Sequence, residues 1–213
     1  MLYEAYRPRK WDDLVGQDKV RQRIEALRGR GLNGRAYWIS GASGTGKTTV
    51  ARLLAAEIAD PEFVIEFDSA DQLRQGDVDD IAHYMALSAT GKGGRVWIIN
   101  EAHGLRKPVI RQLLGILERL PGHVAVIFTT TRDGQDSLFE EEIDAHPLLS
   151  RCIVFALTNQ GLSRPFAERA KWIAQREGLD GQPIEKYVKL VQRCRNNMRA
   201  VLQAVDSGEM LEP

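Results

Sequence analysis

The sequence predicts an α/β fold, a five-stranded parallel sheet sandwiched by helices, followed by a small all-helical unit. Five short apolar runs alternate with helical patterns through residues 1–157, the signature of a parallel sheet covered on both faces. Two of these runs, Val96-Trp97-Ile98-Ile99 and Val124-Ala125-Val126-Ile127-Phe128, are continuously apolar, as strands buried on both sides are. After Phe155 the pattern turns to helices alone, which places a boundary near Leu157 to Asn159 and a second unit over 158–213.

The runs come in order. Ala36 to Ser40 reads as a buried strand that enters the loop Gly41-Ala42-Ser43-Gly44-Thr45-Gly46-Lys47-Thr48. Thr48 to Ile58 reads as the helix leaving that loop, with Val50, Leu53, Leu54 and Ile58 at helical spacing. Phe63 to Phe67 and Arg95 to Ile99 are the second and third strands. Pro108 opens a helix whose packed stripe is Val109, Leu113, Leu114, Ile116 and Leu117, and Pro121-Gly122 stops it. Val124 to Thr129 and Cys152 to Phe155 complete the sheet. The helical unit divides into Gln160 to Glu177, a break at Gly178-Leu179-Asp180-Gly181, Pro183 to Arg195, and Asn197 to Val205.

Strand, glycine loop and helix together carry a chemical expectation. The glycines let backbone N–H groups turn inward around phosphates, Lys47 adds charge, and Thr48 offers a hydroxyl to magnesium. The helix N-terminus favours an anion through its unsatisfied N–H groups and its macrodipole. The expected ligand is a nucleoside triphosphate.

Composition bounds the function classes. The 213 residues suffice for one full core plus a small second domain, and 43% apolar with 27% charged residues is ordinary for a globular chain. Lysine plus arginine equals aspartate plus glutamate at 29 each, so any nucleic-acid binding must come from local asymmetry. No apolar run approaches the roughly 20 residues that span a bilayer, and the opening residues lack a secretory layout, so the expectation is a cytoplasmic protein without membrane contact. Cys152 and Cys194 stand alone, without partners at metal-ligand spacing, and read as small buried hydrophobes.

The strand ends hold the remaining candidates. Asn100-Glu101-Ala102-His103 follows the third strand, where a magnesium-nucleotide enzyme places one group on the metal's water shell and a carboxylate to activate the attacking water. Glu101 is the candidate general base. Asn100 can accept hydrogen bonds from metal-bound water but lacks the charge magnesium normally recruits, so binding is expected to survive and hydrolysis to weaken. His103 reads as a helix-entry or surface residue. Thr129-Thr130-Thr131 ends the fourth strand, where the hydroxyls either hold water and phosphate or are ordinary strand chemistry.

Taken in order, the glycine loop, Asn100-Glu101, the threonine strand end, Leu149-Ser150-Arg151-Cys152 and Asn196-Asn197-Met198-Arg199 resemble the AAA+ ATPases. Within that group the chain is similar to clamp-loader motor subunits, the bacterial gamma/tau type and the replication factor C small subunits. Tyr6-Arg7-Pro8 and Trp11-Asp12-Asp13-Leu14-Val15-Gly16-Gln17 resemble the family's segment beside the adenine, and Lys107 to Glu118 its helix after the second nucleotide motif. The resemblance covers about Tyr6 to Val205 and implies the P-loop AAA+ form of the fold with a helical lid. It implies ATP and Mg2+ as ligands, with Gly41 to Thr49, Tyr6, Arg7, Pro8, Val15 and Gly16 around the nucleotide. Lys47 would contact the β and γ phosphates, Thr48 and, through water, Asn100 the magnesium, and Glu101 the attacking water. Thr131 or its neighbour Thr130 would be the first sensor, Arg199 the second, and Arg151 an arginine finger for a neighbouring subunit. The implied activity is ATP hydrolysis, weak in a lone subunit. The implied partners are other clamp-loader-like subunits, in a homo- or hetero-oligomer, together with a sliding clamp and primed DNA.

Three departures qualify what the resemblance implies. Asn100 stands where the family usually has aspartate. The chain ends after the helical unit, without the family's collar, which implies a fragment, a short variant or a subunit assembled by other means. The helix after the second strand carries Asp77, Asp79 and Asp80 with only Arg74 nearby, where the family commonly presents basic residues to DNA. Arg106, Lys107 and Arg111 offer phosphate contacts elsewhere, and the cysteine zinc module of the gamma/tau type is absent. The expected function is therefore an ATP-driven motor subunit of a clamp-loader-like assembly; the alternative is a non-hydrolysing, ATP-dependent regulator or scaffold.

Overall fold

Strands β1 (Arg35–Ser40), β2 (Val64–Phe67), β3 (Arg95–Ile99), β4 (Val124–Thr130) and β5 (Cys152–Ala156) form one sheet in the order β2-β3-β4-β1-β5, with every neighbouring pair parallel. This computed structural model describes residues 1–131 and 145–211; positions 132–144 of the first expected unit and 212–213 of the second lie outside the described residues. Each expected strand forms, shifted by at most one residue at either end. The continuously apolar fourth run is the central strand, buried at every position, because both of its faces carry helices.

Alternation along the strands divides the core in two. Trp38, Trp97, Ile99, Val126 and Phe128 point to one face, where α4 (Gln75–Met85), α5 (Lys107–Leu117) and α6 (Ala145–Ser150) cover them. Tyr37, Ile39, Ile98, Ile127 and Phe155 point to the other, beneath α2 (Asp18–Arg28) and α3 (Lys47–Ile58). Trp38 and Phe128 are paired in register and lie 5.6 Å apart between ring centroids. Each such fully buried side chain contributes on the order of 2 kcal/mol or more, so the sheet is a rigid platform for whatever its ends carry.

A third apolar cluster joins α7 (Ser163–Glu177), α8 (Ile184–Arg193) and α9 (Met198–Asp206). Leu2 of α1 (Leu2–Ala5) is buried in it, and Tyr3, Tyr6 and Val15 pack against it. The chain's first residues thus cross to the helical cluster, a contact that the pattern of the sequence does not carry.

Helix ends moved where backbone geometry overrode periodicity. α3 starts at Lys47, one residue early, because Gly46 takes φ 100° as its N-cap. α7 starts at Ser163 rather than Gln160, since Gly161 at φ +71° interrupts the helical path. α8 ends at Arg193 rather than Arg195, because Arg195 and Asn196 turn left-handed at φ 52° and 58°. The cysteines are only partly buried, which corrects the expectation of two core residues; burial still pushes the Cys152 thiol up to about 12. Asp77 accepts the backbone N–H of Arg74 at 2.7 Å and Asp79 accepts from Gln112 at 3.1 Å, so these acids cap α4 and tie it to α5. Among the described residues, no helix is long and apolar enough to cross a membrane.

Candidate functional site

The register of the sheet assembles the site. Ser40 pairs with Thr130 and Ile99 with Phe128, so the glycine loop, Asn100-Glu101 and Thr130-Thr131 leave the same edge of the sheet at neighbouring carboxyl ends. Parallel α/β sheets place ligands at such an edge. One pocket there is walled by loop residues Ser43 to Thr49, by Glu101 and Thr131, and by Tyr6, Arg7, Pro8 and Val15 from the start of the chain. Phe166, Arg169, Met198 and Arg199 close it from the helical cluster.

The loop is preformed. Gly44 and Gly46 take φ 74° and 100°, which favour glycine, and both line the pocket. Thr45 Oγ1 donates to the Ala42 carbonyl at 2.8 Å, and Lys47 Nζ donates to the carbonyls of Gly41 and Ala42 at 3.1 and 3.0 Å. Lys47 is 8% exposed, and burial lowers its pKa while Glu101 pulls it back up and Arg199 adds to the lowering. A buried cation held only by neutral carbonyls gains strongly from an anion beside it. Gly41, Ala42 and Gly16 are not among the lining residues, and two of them are packed closely: a Cβ on Gly41 would meet Leu157 at 2.9 Å, and one on Gly16 would meet Leu162 at 2.2 Å.

At the other end lies Asn100, 5% exposed. Its Oδ1 accepts from Thr129 Oγ1 at 2.8 Å and Thr48 Oγ1 at 3.3 Å; its Nδ2 donates to Glu66 Oε1 at 2.8 Å and the Phe67 carbonyl at 3.2 Å. Glu101, at φ 50° and ψ 48°, is one of three left-handed non-glycine residues among those described. Such backbone strain gathers at functional sites. His103, expected to be a surface or helix-entry residue, reaches Thr130 Oγ1 at 3.2 Å and Glu101 Oε2 at 3.5 Å. Between the two candidate sensor threonines, Thr131 lines the pocket while Thr130 is fully buried beside His103.

Oxygen donors from Thr48 and Asn100, with carboxylates on Glu66 and Glu101 nearby, suit a hard divalent cation that keeps part of its water shell. Among the described residues there is no cluster of three or more His, Cys, Asp and Glu able to hold a metal by themselves. A cation here would therefore need oxygens from a ligand as well.

Arg199 reaches the pocket from α9 with its guanidinium 5.7 Å from the Tyr3 ring centroid. Arg151 stands outside the pocket: it donates to Glu118 and, at 2.9 Å, to the Pro147 carbonyl. Several residues at the site were given no role of their own by the sequence, even where they stood inside a quoted motif. Asn197 donates to Ser43 Oγ at 3.4 Å and caps α9 through Ala200 N at 3.2 Å, while Met198 N donates to the Gly44 carbonyl at 3.3 Å. Gln17, 2% exposed, joins the start of the chain to Thr158 on both its carbonyl and its N–H at 3.0 Å. Tyr3 and Arg169 carry no motif at all, and only the folded chain brings them to the pocket.

A parallel α/β sheet with a glycine loop after its first strand, capped by helices that reach back to that loop, is the architecture of P-loop nucleotide-binding proteins. The chain belongs to the ATPase family associated with various cellular activities (AAA), whose model matches residues 37–160. It is similar to the DNA polymerase III subunit gamma/tau of Mycoplasma pneumoniae, at 27% identity over 97% of this chain and 32% of that one. It is also similar to the DNA polymerase III subunit gamma of Buchnera aphidicola, at 28% identity over 84% of this chain and 54% of that one. The chain thus spans about a third to just over half the length of these relatives. A RuvB variant of Thermotoga maritima shares the fold, with a TM-score of 0.74 at 23% identity over 94% of this chain and 64% of that chain.

Proposed function

We propose that this chain binds ATP with Mg2+ and acts as an AAA+ motor subunit of a clamp-loader-like assembly in DNA replication, in which nucleotide joins neighbouring subunits. The carrying observation is the convergence of Lys47, Thr48, Glu101, Thr131 and Arg199 on one pocket that two separately packed apolar cores enclose. Triphosphate would replace the carbonyls that hold Lys47, and the loop N–H groups would wrap its oxygens. Thr48 and Asn100 would face the magnesium, which neutralises charge on the phosphates. Glu101 would orient and deprotonate the attacking water, Thr131 would hold it, and Arg199 would read the γ-phosphate from residues 158–213, acting as a lid on a nucleotide-binding unit of 1–157. Tyr6, Arg7, Pro8 and Val15 would pack around the base.

Arg151 would serve a neighbour. It is not among the residues lining the pocket and pairs with Glu118, which supports a role toward a neighbour's phosphate rather than its own. The names of the gamma and gamma/tau relatives support the replication assignment, and primed DNA and a sliding clamp are the proposed partners.

The test is binding of a fluorescent ATP analogue together with steady-state hydrolysis. Lys47→Ala is expected to weaken binding by roughly a hundredfold or more, since it removes a charge-assisted contact from a desolvated site. Arg151→Ala is expected to leave binding intact while abolishing the rise in hydrolysis on assembly, an effect of roughly 10³-fold or more where such fingers act. Undiminished binding in Lys47→Ala would end the proposal. The second reading, an ATP-dependent regulator without turnover, draws on the neutral Asn100 at the metal end; absence of hydrolysis with every partner and DNA combination would favour it.

A further inference from the structure

The Asn100 side chain is oriented by what surrounds it. Its Nδ2 faces Glu66 Oε1 and the Phe67 carbonyl, two groups that can only accept a hydrogen bond at neutral pH. Its Oδ1 faces the hydroxyls of Thr129 and Thr48, which donate. A carboxylate at this position would set one oxygen against a carbonyl and another carboxylate with no proton between them. The buried cage therefore matches an amide, and the negative charge expected at residue 100 stands one strand away, on Glu66 of β2.

Glu66 is itself held. Arg52 Nε donates to its Oε2 at 2.7 Å and Arg52 Nη2 to its Oε1 at 3.2 Å. Arg52 belongs to α3, the helix whose first turn carries Thr48. The contacts thus close a loop from Thr48 through Asn100 and Glu66 to Arg52 and back along the helix, spanning β2, β3 and α3.

We propose that Glu66 is a positioning residue for the metal end of the site. It locks the Asn100 amide with its oxygen toward Thr48, and it supplies to the metal's surroundings the charge that Asn100 lacks. The second half of this proposal rests on the Mg-ATP reading above; the first half does not. Restoring a carboxylate by Asn100→Asp alone should accordingly fail to improve the site, because two carboxylates would then meet across a hydrogen-bond distance in a buried place.

The experiment is a four-protein cycle of parent, Glu66→Gln, Asn100→Asp and the double variant, read by thermal unfolding without nucleotide and by binding of the fluorescent ATP analogue with and without Mg2+. Without nucleotide, Asn100→Asp is expected to lower Tm by about 4 °C or more, and adding Glu66→Gln to recover at least half of that loss. Glu66→Gln alone is expected to reduce the enhancement by Mg2+, taken as the ratio of its own binding with and without the ion, roughly threefold or more, from the loss of one nearby charge. The double variant, with its carboxylate moved to residue 100, should regain the enhancement. Additive Tm effects in the cycle would overturn the orienting role. An unchanged Mg2+ enhancement in Glu66→Gln would overturn the charge role. A parent chain that binds no nucleotide would instead sink the ATP reading and the charge role together, with the coupling in the melts still deciding the orienting role.

Discussion

Gly44→Ala tests whether the helical cluster is anchored on the glycine loop. Gly44 has φ +74°, and a Cβ there would stand 2.0 Å from Asn197 Oδ1 and 2.8 Å from Asn197 Cα. The amide oxygen cannot turn aside without uncapping α9 at Ala200, and the Cα cannot retreat without carrying the helix away from the Gly44 carbonyl. Alanine in a left-handed conformation costs about 1 kcal/mol. Loss of an asparagine cap costs about 1 kcal/mol more. Together these amount to about 2 kcal/mol, or roughly 4 to 8 °C in Tm for a chain of this size. Gly178→Ala is the control, because Gly178 has φ +70° with nothing within 4 Å of its added Cβ. It should show the backbone cost alone, about 2 to 4 °C. Thermal unfolding of both variants, with amide exchange measured at Ala200, separates steric from conformational effects. Equal losses in the two variants, with Ala200 as protected as in the parent, would refute the anchoring.

Two further outcomes are expected. Gln17→Ala removes a buried side chain that bonds both the N–H and the carbonyl of the exposed Thr158 and should cost about 1 to 2 kcal/mol, read from denaturant unfolding; a cost below about half a kcal/mol, on the order of a surface change, would remove Gln17 from the account. Burial works against ionisation of Asp180, but hydrogen bonds from Lys171, Tyr187 and the Gln182 N–H outweigh it and lower its pKa below the ordinary 3.8. A depressed folded pKa gives stability that is present above the ordinary value and lost as pH falls through the folded one. The parent should therefore lose Tm more steeply than Asp180→Asn below about pH 4, and parallel slopes would count against that linkage.

The five strands, the glycine loop and most of the helical stretches were legible because each rests on local signals: runs of apolar residues, a spacing of three and four, and turn residues between them. What misled the helix ends was backbone conformation, since nothing in periodicity requires Gly161, Arg195 or Asn196 to turn left-handed. His103 is exposed in a short helical turn, as read, but its contacts to Thr130 and Glu101 were not legible because they depend on two strand ends meeting. Glu66 was passed over for a related reason. A lone acid on a short edge strand reads as solvated until β2 pairs with β3 and sets it against Asn100, 34 positions away in sequence.

By itself, then, the amino-acid order determined the layered α/β architecture and the position of the glycine loop after its first strand, because both follow from chemistry carried within a few consecutive residues. Tertiary structure alone decided which further side chains enclose the pocket: that the chain's first helix packs with its last, and that Tyr3 and Arg169 join its wall beside Arg199. It also decided why an amide suits position 100. The physical reason is that hydrogen-bond complementarity and charge placement are properties of groups brought together from distant strands, and no stretch of sequence holds both partners.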